Sequence, residues 1–333
     1  MTIHTGSSET TREAFVFNFH RYFKITSKKI TRQDKNFLEW FIGFSEGDGH
    51  FGLVKFPTAK NPNNQRPKFI INQNEPQVLF KIKKKLGFGT VICIEVKKKP
   101  QKYYRYTVSK LKDIQLLIEL FNGNLILKKT RQRFYNWVTC FKTLLNQQKS
   151  VTHKFQLTET PLKTLLLDSI MFDSAWLAGF TDAEGGFYAS LSMNMRYKLG
   201  LRLRVKYYLR QKHELDVLKD IDKQVYTRAL NRIPANQQEK EHKNRAKMGE
   251  NGRVKIVSKK ENIYSLEIHY FKHLEELIRY FDTYPLLTQK KIMYIRWKRI
   301  IIGRNVFKQS ALISEKSLTC YKNLVASIGK VHY

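Results

Sequence analysis

The sequence predicts an α+β protein built from two copies of one unit, each ordered helix, strand, strand, helix, strand, strand, helix. Three observations carry this reading. An apolar run of small residues ending in two carboxylates occurs twice, as WFIGFSEGDGHF over residues 40–51 and as WLAGFTDAEGGF over residues 176–187. Each run is followed by stretches in which apolar and polar residues alternate, the signature of half-buried strands. The same order of segments follows both runs, with a period too long for a solenoid. Of 333 residues, 42% are hydrophobic, enough for two ordinary cores.

Residues 1–35 mix Ser, Thr and basic side chains with Phe. Glu9 and Glu13 speak against an organellar presequence, so this stretch reads as an N-terminal extension. The first unit spans residues 36–145. After its motif helix come FGLVKF and PKFIINQ as strands, EPQVLFKIKKKLG as a helix, TVICIEVKKK and KYYRYTVSK as strands, and LKDIQLLIELFNGN as a closing helix. A linker falls at residues 146–170. The second unit, residues 171–333, repeats the order with YASLSM, LGLRLRVKYYLRQ, HELDVLKDI, RVKIVSK, NIYSLEIHY and FKHLEELIRYFDTYP, and Phe121 and Phe281 fall in register. In Leu201 to Arg210, Leu201, Leu203 and Val205 alternate with Arg202, Arg204 and Lys206, so one sheet face is apolar and the other basic. Residues 229–252 are polar, punctuated by Pro and Gly, and have no counterpart in the first unit, which predicts a mobile loop insert.

The motif helices share a second regularity. Gly43 and Gly47, and likewise Gly179 and Ala183, are four residues apart and lie on one face. Small residues at that spacing let two helix backbones approach closely, so the two motif helices are expected to pack on each other. A glycine inside an isolated helix costs roughly 0.5 to 1 kcal/mol relative to alanine, a cost that such packing would offset.

The chain carries 61 Lys and Arg against 28 Asp and Glu, a net charge of +33, which favours a polyanionic partner. No apolar run approaches the roughly 18 residues of a membrane span, so nucleic acid is preferred to a membrane. Cys93, Cys140 and Cys320 are odd in number, far apart and outside any CxxC pattern, which suggests neither a disulfide framework nor a zinc site.

Against this background Asp48 and Glu184 are anomalous. A carboxylate at a helix C-terminus sits at the negative end of the helix dipole, and packing the two helices together adds like-charge repulsion. A bound divalent cation relieves both penalties. Mg²⁺ suits the site because it is held by one or two carboxylates together with water and phosphate oxygens. The metal site is read as Asp48 and Glu184 with the adjacent Gly47 and Ala183. A polar helix end capped by Gly49 or Gly185 is the plain structural alternative, and its recurrence in both copies of so basic a chain argues against it.

The run Leu177-Ala178-Gly179-Phe180-Thr181-Asp182-Ala183-Glu184-Gly185, and more loosely Phe41-Ile42-Gly43-Phe44-Ser45-Glu46-Gly47-Asp48-Gly49, resembles the motif of the LAGLIDADG homing endonucleases in their single-chain, two-repeat form. The resemblance covers residues 36–333. It implies a DNA-binding saddle with the motif helices at its centre and the two sheets along the major groove. It assigns the metal-binding role to Asp48 and Glu184, and supporting catalytic roles to Gln73 and Gln211 at strand ends and to Lys129 and Lys290 beyond the third helix of each unit. Lys128 remains an alternative to Lys129. Glu46 and Asp182, on another side of the helix from the eighth-position acids, are read as local hydrogen-bonding groups. DNA contacts are expected from Lys55, Lys68, Asn72, Arg202, Arg204, Lys206 and Arg210, residue types that reach phosphates or base edges.

The resemblance thus implies a Mg²⁺-dependent endonuclease, acting as a monomer, that recognises a long asymmetric site in double-stranded DNA and cuts one phosphodiester per strand with a short stagger. An intron maturase with intron RNA as partner is the alternative, followed by a non-catalytic DNA-binding protein. By family association the chain is expected in an organelle, the mitochondrion ahead of the chloroplast.

Overall fold

The structure, a computed structural model, describes residues 16–26, 31–55, 65–95, 102–147, 172–197, 200–249, 251–304 and 314–328. The first half comprises α1 (His20–Thr26), α2 (Arg32–Asp48), β1 (Gly49–Lys55), β2 (Gln65–Gln73), α3 (Pro76–Leu86), β3 (Thr90–Glu95), β4 (Lys102–Val108), α4 (Leu111–Phe121) and α5 (Lys128–Gln147). The second comprises α6 (Trp176–Glu184), β5 (Gly185–Met193), β6 (Leu201–Lys212), α7 (Leu215–Leu230), α8 (Ala235–Ala246), β7 (Val254–Ser258), β8 (Ile263–Ile268), α9 (Phe271–Thr283), α10 (Lys290–Ile302) and α11 (Glu315–Ala326). Each half holds a four-stranded antiparallel sheet, ordered β1-β2-β4-β3 and β5-β6-β8-β7. The predicted αββαββα order is therefore present twice.

Local chemistry explains the boundaries. Thr31 caps α2 by accepting from the amide of Asp34. Pro76 opens α3, where a missing N–H costs nothing, and Gly87 closes it at φ 85°, a left-handed conformation that suits glycine. In β6 the odd-numbered residues Val205, Tyr207 and Leu209 are buried, and the even-numbered Arg202, Arg204 and Arg210 are exposed. Alternation thus gives one face to the core and one to solvent.

The two cores are built alike. Phe51 lies against Phe69, Phe121, Phe134 and Trp137 at centroid distances of 5.2–5.4 Å. Phe187 lies against Tyr207, Phe281, Tyr294 and Trp297 at 5.1–5.8 Å. The halves therefore correspond residue by residue, with Phe121 matching Phe281, Phe134 matching Tyr294 and Trp137 matching Trp297.

Two boundaries differ from expectation. The N-terminal extension is part of the first core over its described portion: Phe17, Phe19, Tyr22 and Phe23 are buried, and α1 packs on α4. Asn18 and Asn124 fasten the segment by reciprocal hydrogen bonds of 2.8 Å, Asn18 N donating to Asn124 Oδ1 and Asn124 Nδ2 to Asn18 O. Its interspersed Phe and Tyr were the signal for this packing. Phe19→Ala is expected to destabilise the protein by about 3 kcal/mol, as large-to-small changes in cores do. Chemical denaturation would check this, and an unchanged midpoint would show the segment to be dispensable.

The insert over residues 229–252 is largely the helix α8 rather than a loop. The reason is Asp222, a fully buried carboxylate that must be paired. Arg245 and Arg253 both engage it, and Glu241 of α8 accepts from Tyr270 Oη at 2.9 Å, which holds the returning chain in place. The expected linker lies almost entirely outside the described residues. Among the described residues no helix is long and apolar enough to cross a membrane.

Candidate metal centre and nucleic-acid interface

The helices α2 and α6 pack on each other at the centre, as the small-residue spacing requires. A Cβ on Gly43 would lie 2.1 Å from the carbonyl oxygen of Trp176, and one on Gly179 would lie 1.9 Å from that of Trp40. Further along, a Cβ on Gly47 would meet Ala183 Cβ at 2.3 Å. Gly47 and Ala183 thus stand where the helices converge, one residue before the two acids.

The sixth-position acids act across this interface rather than locally. Glu46 Oε1 accepts from the amides of Ile126 (2.8 Å) and Leu127 (2.7 Å), and its Oε2 accepts from Trp176 Nε1 at 2.6 Å. Asp182 Oδ2 accepts from Trp40 Nε1 (2.8 Å) and from the amide of Leu287 (2.7 Å). Each acid therefore ties the opposite motif helix to the segment that follows the closing helix of its own half. Burial raises both carboxyls, Glu46 to about 8.

Asp48 and Glu184 end α2 and α6. Burial raises the Asp48 carboxyl, opposed by a 2.6 Å hydrogen bond in which Gln73 Nε2 donates to its Oδ2. Burial also raises Glu184, the charge of Asp48 adds to that rise, and a hydrogen bond from Gln211 opposes it. The two glutamines, placed at the last core-facing positions of β2 and β6, thus meet the two acids in equivalent ways. Lys290, at the start of α10, donates from Nζ to the carbonyls of Thr181 (3.2 Å) and Ala183 (3.0 Å). Burial lowers its ammonium, against the fields of Asp182, Asp48 and Glu184.

The pairing of Lys129 with Lys290 is corrected. Gln289 N donates to Glu75 at 2.9 Å and Lys129 N to Glu214 at 3.1 Å; Leu287 N and Leu127 N reach Asp182 and Glu46 respectively. Lys129 therefore corresponds to Gln289, and the residue in register with Lys290 is the buried Thr130. Lys129 is exposed, and Lys128 points to Asp216 at 2.8 Å. The doublet KK invited a match by identity, but the spacing from Phe281 to Lys290 equals that from Phe121 to Thr130, and α10 begins two residues later in that register than α5 does.

The donor set fits a hard divalent cation. Two carboxylates stand at two negative helix ends, each with an amide side chain beside it. Among the described residues no cluster of three or more His, Cys, Asp or Glu side chains could hold a metal, so the remaining ligands would come from water and phosphate.

The raised acids make a pH prediction. In the unfolded chain these carboxyls titrate near 4; in the fold they hold their protons to higher pH. Their stabilising contribution is therefore fully present below the unfolded value and is lost as pH rises through the folded ones, reaching about 8 for Glu46. Without divalent cations the melting temperature should fall between pH 6.5 and 8, as the unfolding free energy drops by up to about 1.4 kcal/mol per pH unit for a group such as Glu46. Buried His273, held down to about 3, has the opposite sign but contributes below that window. Glu46→Gln should flatten the slope, and a melting temperature that rises across the window would contradict the assignment.

On the sheet faces away from the core, Arg202, Arg204 and Arg210 are exposed, and Lys68 and Asn72 share the corresponding face of β2. Lys55 does not join them: by strand alternation it falls on the side of Phe51, at an exposed strand end. Lys206 is engaged, donating to Glu267 at 2.8 Å with its ammonium 5.5 Å from the ring centres of Tyr188 and Tyr208. Residues not singled out from sequence complete the surface. Arg105 Nε donates to Asn72 Oδ1 at 2.8 Å, and Glu267 is held down to about 2 by Lys206 and Lys255 despite partial burial. The alternation in NIYSLEIHY places Glu267 on the polar face, so that residue was within reach of the sequence.

A family model described as LAGLIDADG endonuclease matches residues 41–141 and 177–301. The chain is 29% identical over 282 residues to a "Probable intron-encoded endonuclease 4" of Neurospora crassa, covering 83% of this chain but only 42% of that protein. It is 21% identical over 329 residues to an "Uncharacterized cox1 intron-2 37.2 kDa protein" of Schizosaccharomyces pombe, covering 96% and 81% of the two. Among solved structures, the homing endonuclease I-LtrWI bound to target DNA has a TM-score of 0.62 at 19% identity, covering 87% of this chain and 97% of that one. The meganuclease I-CpaMI bound to uncleaved DNA has 0.61 at 14% identity, covering 88% and 99%.

Proposed function

The chain belongs to the LAGLIDADG endonuclease family, and from that premise we propose that it is a site-specific, metal-dependent endonuclease of double-stranded DNA. The observation that carries the reading is the pair Asp48 and Glu184, half-buried at adjoining helix C-termini and each met by a glutamine. A structural helix end would favour cations there.

The reaction is hydrolysis of one phosphodiester on each strand. The oxygen of water bonds to phosphorus as the bond from phosphorus to the 3′ oxygen breaks; one water proton ends on the 3′ oxygen and the hydroxyl stays on the 5′ phosphate. Asp48 and Glu184 would hold a divalent cation such as Mg²⁺, which would supply Lewis acidity at the phosphate. Gln73 and Gln211 orient the carboxylates and are placed to order water between acid and phosphate. Lys290 adds positive charge where the transition state gains negative charge. Because the acids adjoin, the two cuts are closely staggered. The exposed Arg202, Arg204 and Arg210, with Lys68, Asn72 and Arg105, supply phosphate and base contacts from the sheets, a known strand-based mode of major-groove reading. The sheets differ in sequence, so the target is long and asymmetric. Both acids come from one chain, which therefore acts as a monomer.

The maturase reading is not favoured, since an RNA scaffold has no use for a repulsive acid pair at adjoining helix ends. Relatives named as intron-encoded, one of them from cox1, support an organellar origin, with the mitochondrion as the compartment. The test is selection of cleaved duplexes from a randomised library in Mg²⁺. One long asymmetric site cut by the wild type and not by Glu184→Gln is expected. Tight binding to folded intron RNA with no cleaved duplex would replace the endonuclease with the maturase.

A further inference from the structure

Lys290 and Thr130 make the two halves of the site unequal. The correspondence rests on independent contacts: Leu127 and Leu287 reach the sixth-position acids, Lys129 and Gln289 reach Glu214 and Glu75, and Phe134 and Tyr294 pack on Phe51 and Phe187. In the second half the next residue is a half-buried lysine whose Nζ sits on the carbonyls of Thr181 and Ala183, the turn that carries Glu184. In the first half it is Thr130, 6% exposed and uncharged. Neither neighbouring lysine holds the equivalent place: both are exposed, and the ammonium of Lys128 reaches Asp216 at 2.8 Å.

We propose that this chain cuts its two DNA strands in a fixed order, the strand lying against Glu184, Gln211 and Lys290 first. The inference rests on the endonuclease reading above. Both half-reactions are the same hydrolysis, but only one half has an ammonium fixed on the turn that carries its acid. Loss of one preorganised oxyanion donor slows acyl transfer by about 10² to 10³, which sets the scale for a donor at a phosphate. Partial sharing of Lys290's field with Asp48 would shrink the difference, so a strand ratio of at least about tenfold is expected. The product of the first step is a nicked duplex with a 3′ hydroxyl.

The experiment uses the full chain and the duplex recovered by selection, placed in a supercoiled plasmid and, separately, labelled on each strand in turn. The wild type should accumulate open circles before linear DNA, with the nick in one strand only. Lys290→Thr should lower the first-strand rate to near that of the second and bring the ratio close to one. Thr130→Lys should raise the second-strand rate; if that variant fails to fold, Lys290→Thr decides alone. A readout independent of cutting is the salt dependence of binding in Ca²⁺: Lys290→Thr should reduce the slope of log affinity against log salt by about one phosphate contact, while Thr130→Ala leaves it unchanged. Equal strand rates in the wild type would overturn the fixed order, and a strand ratio unmoved by Lys290→Thr would overturn its origin in Lys290; either result leaves the endonuclease standing. Absence of cleavage in any selected duplex would overturn both.

Discussion

Asp48→Asn and Glu184→Gln should each reduce cleavage by at least about 10³-fold while leaving Ca²⁺-supported DNA binding in place, and each should raise the melting temperature of the metal-free protein. The two effects have one cause. Both carboxyls are pushed up by burial, and Glu184 is pushed further by Asp48, so the apo fold pays for keeping two acids where a helix end prefers a cation. Neutral isosteres remove that repulsion and keep an oxygen for Gln73 or Gln211. A purely structural acid would behave oppositely, since removing its charge would weaken its hydrogen bonds and lower the melting temperature. Calorimetry in chelator beside cleavage in Mg²⁺ separates these cases. Retained cutting, or a lower melting temperature with unchanged cutting, would mean that the pair is not the metal site.

Much of this architecture was legible because it is written in local patterns. The two motif helices were visible through their small residues, the strands through alternation, and the anomaly of Asp48 and Glu184 through helix position alone. What escaped depended on partners distant in sequence. Nothing near Glu46 indicates that its oxygens will take the indole of Trp176 and the amides of Ile126 and Leu127, because those groups come from the other motif helix and from the segment before α5. The insert looked like a loop because its composition is polar; its helix α8 is fixed by Asp222, which lies in the preceding α7 and is satisfied by Arg245 and Arg253. The register of Lys290 failed for a related reason. Identity of the KK doublet favoured Lys129, whereas aromatic packing on Phe51 and Phe187 shows that Thr130 holds that place.

Gly179→Val should abolish the folded state or lower its stability by more than about 3 kcal/mol, beyond the usual range for overpacking. The reason is what stands opposite. A Cβ on Gly179 would lie 1.9 Å from the Trp40 carbonyl oxygen, 2.7 Å from its carbon and 2.8 Å from the Phe44 nitrogen. All three are backbone atoms inside α2, so no rotamer change can yield space. Separating the helices would break the hydrogen bond from Trp40 Nε1 to Asp182 and that from Trp176 Nε1 to Glu46, leaving two buried indole N–H groups unpaired at about 1–3 kcal/mol each. It would also part Asp48 from Glu184, so any folded remnant should lose cleavage together with stability. A matched change at Gly123 provides the contrast. That glycine has nothing within 4 Å of an added Cβ but adopts φ 77°, so Gly123→Ala should cost only the backbone strain of about 1–2 kcal/mol. Equal losses at the two positions by chemical denaturation would show that α2 and α6 do not depend on backbone contact, and the central role given to the small-residue face would fall.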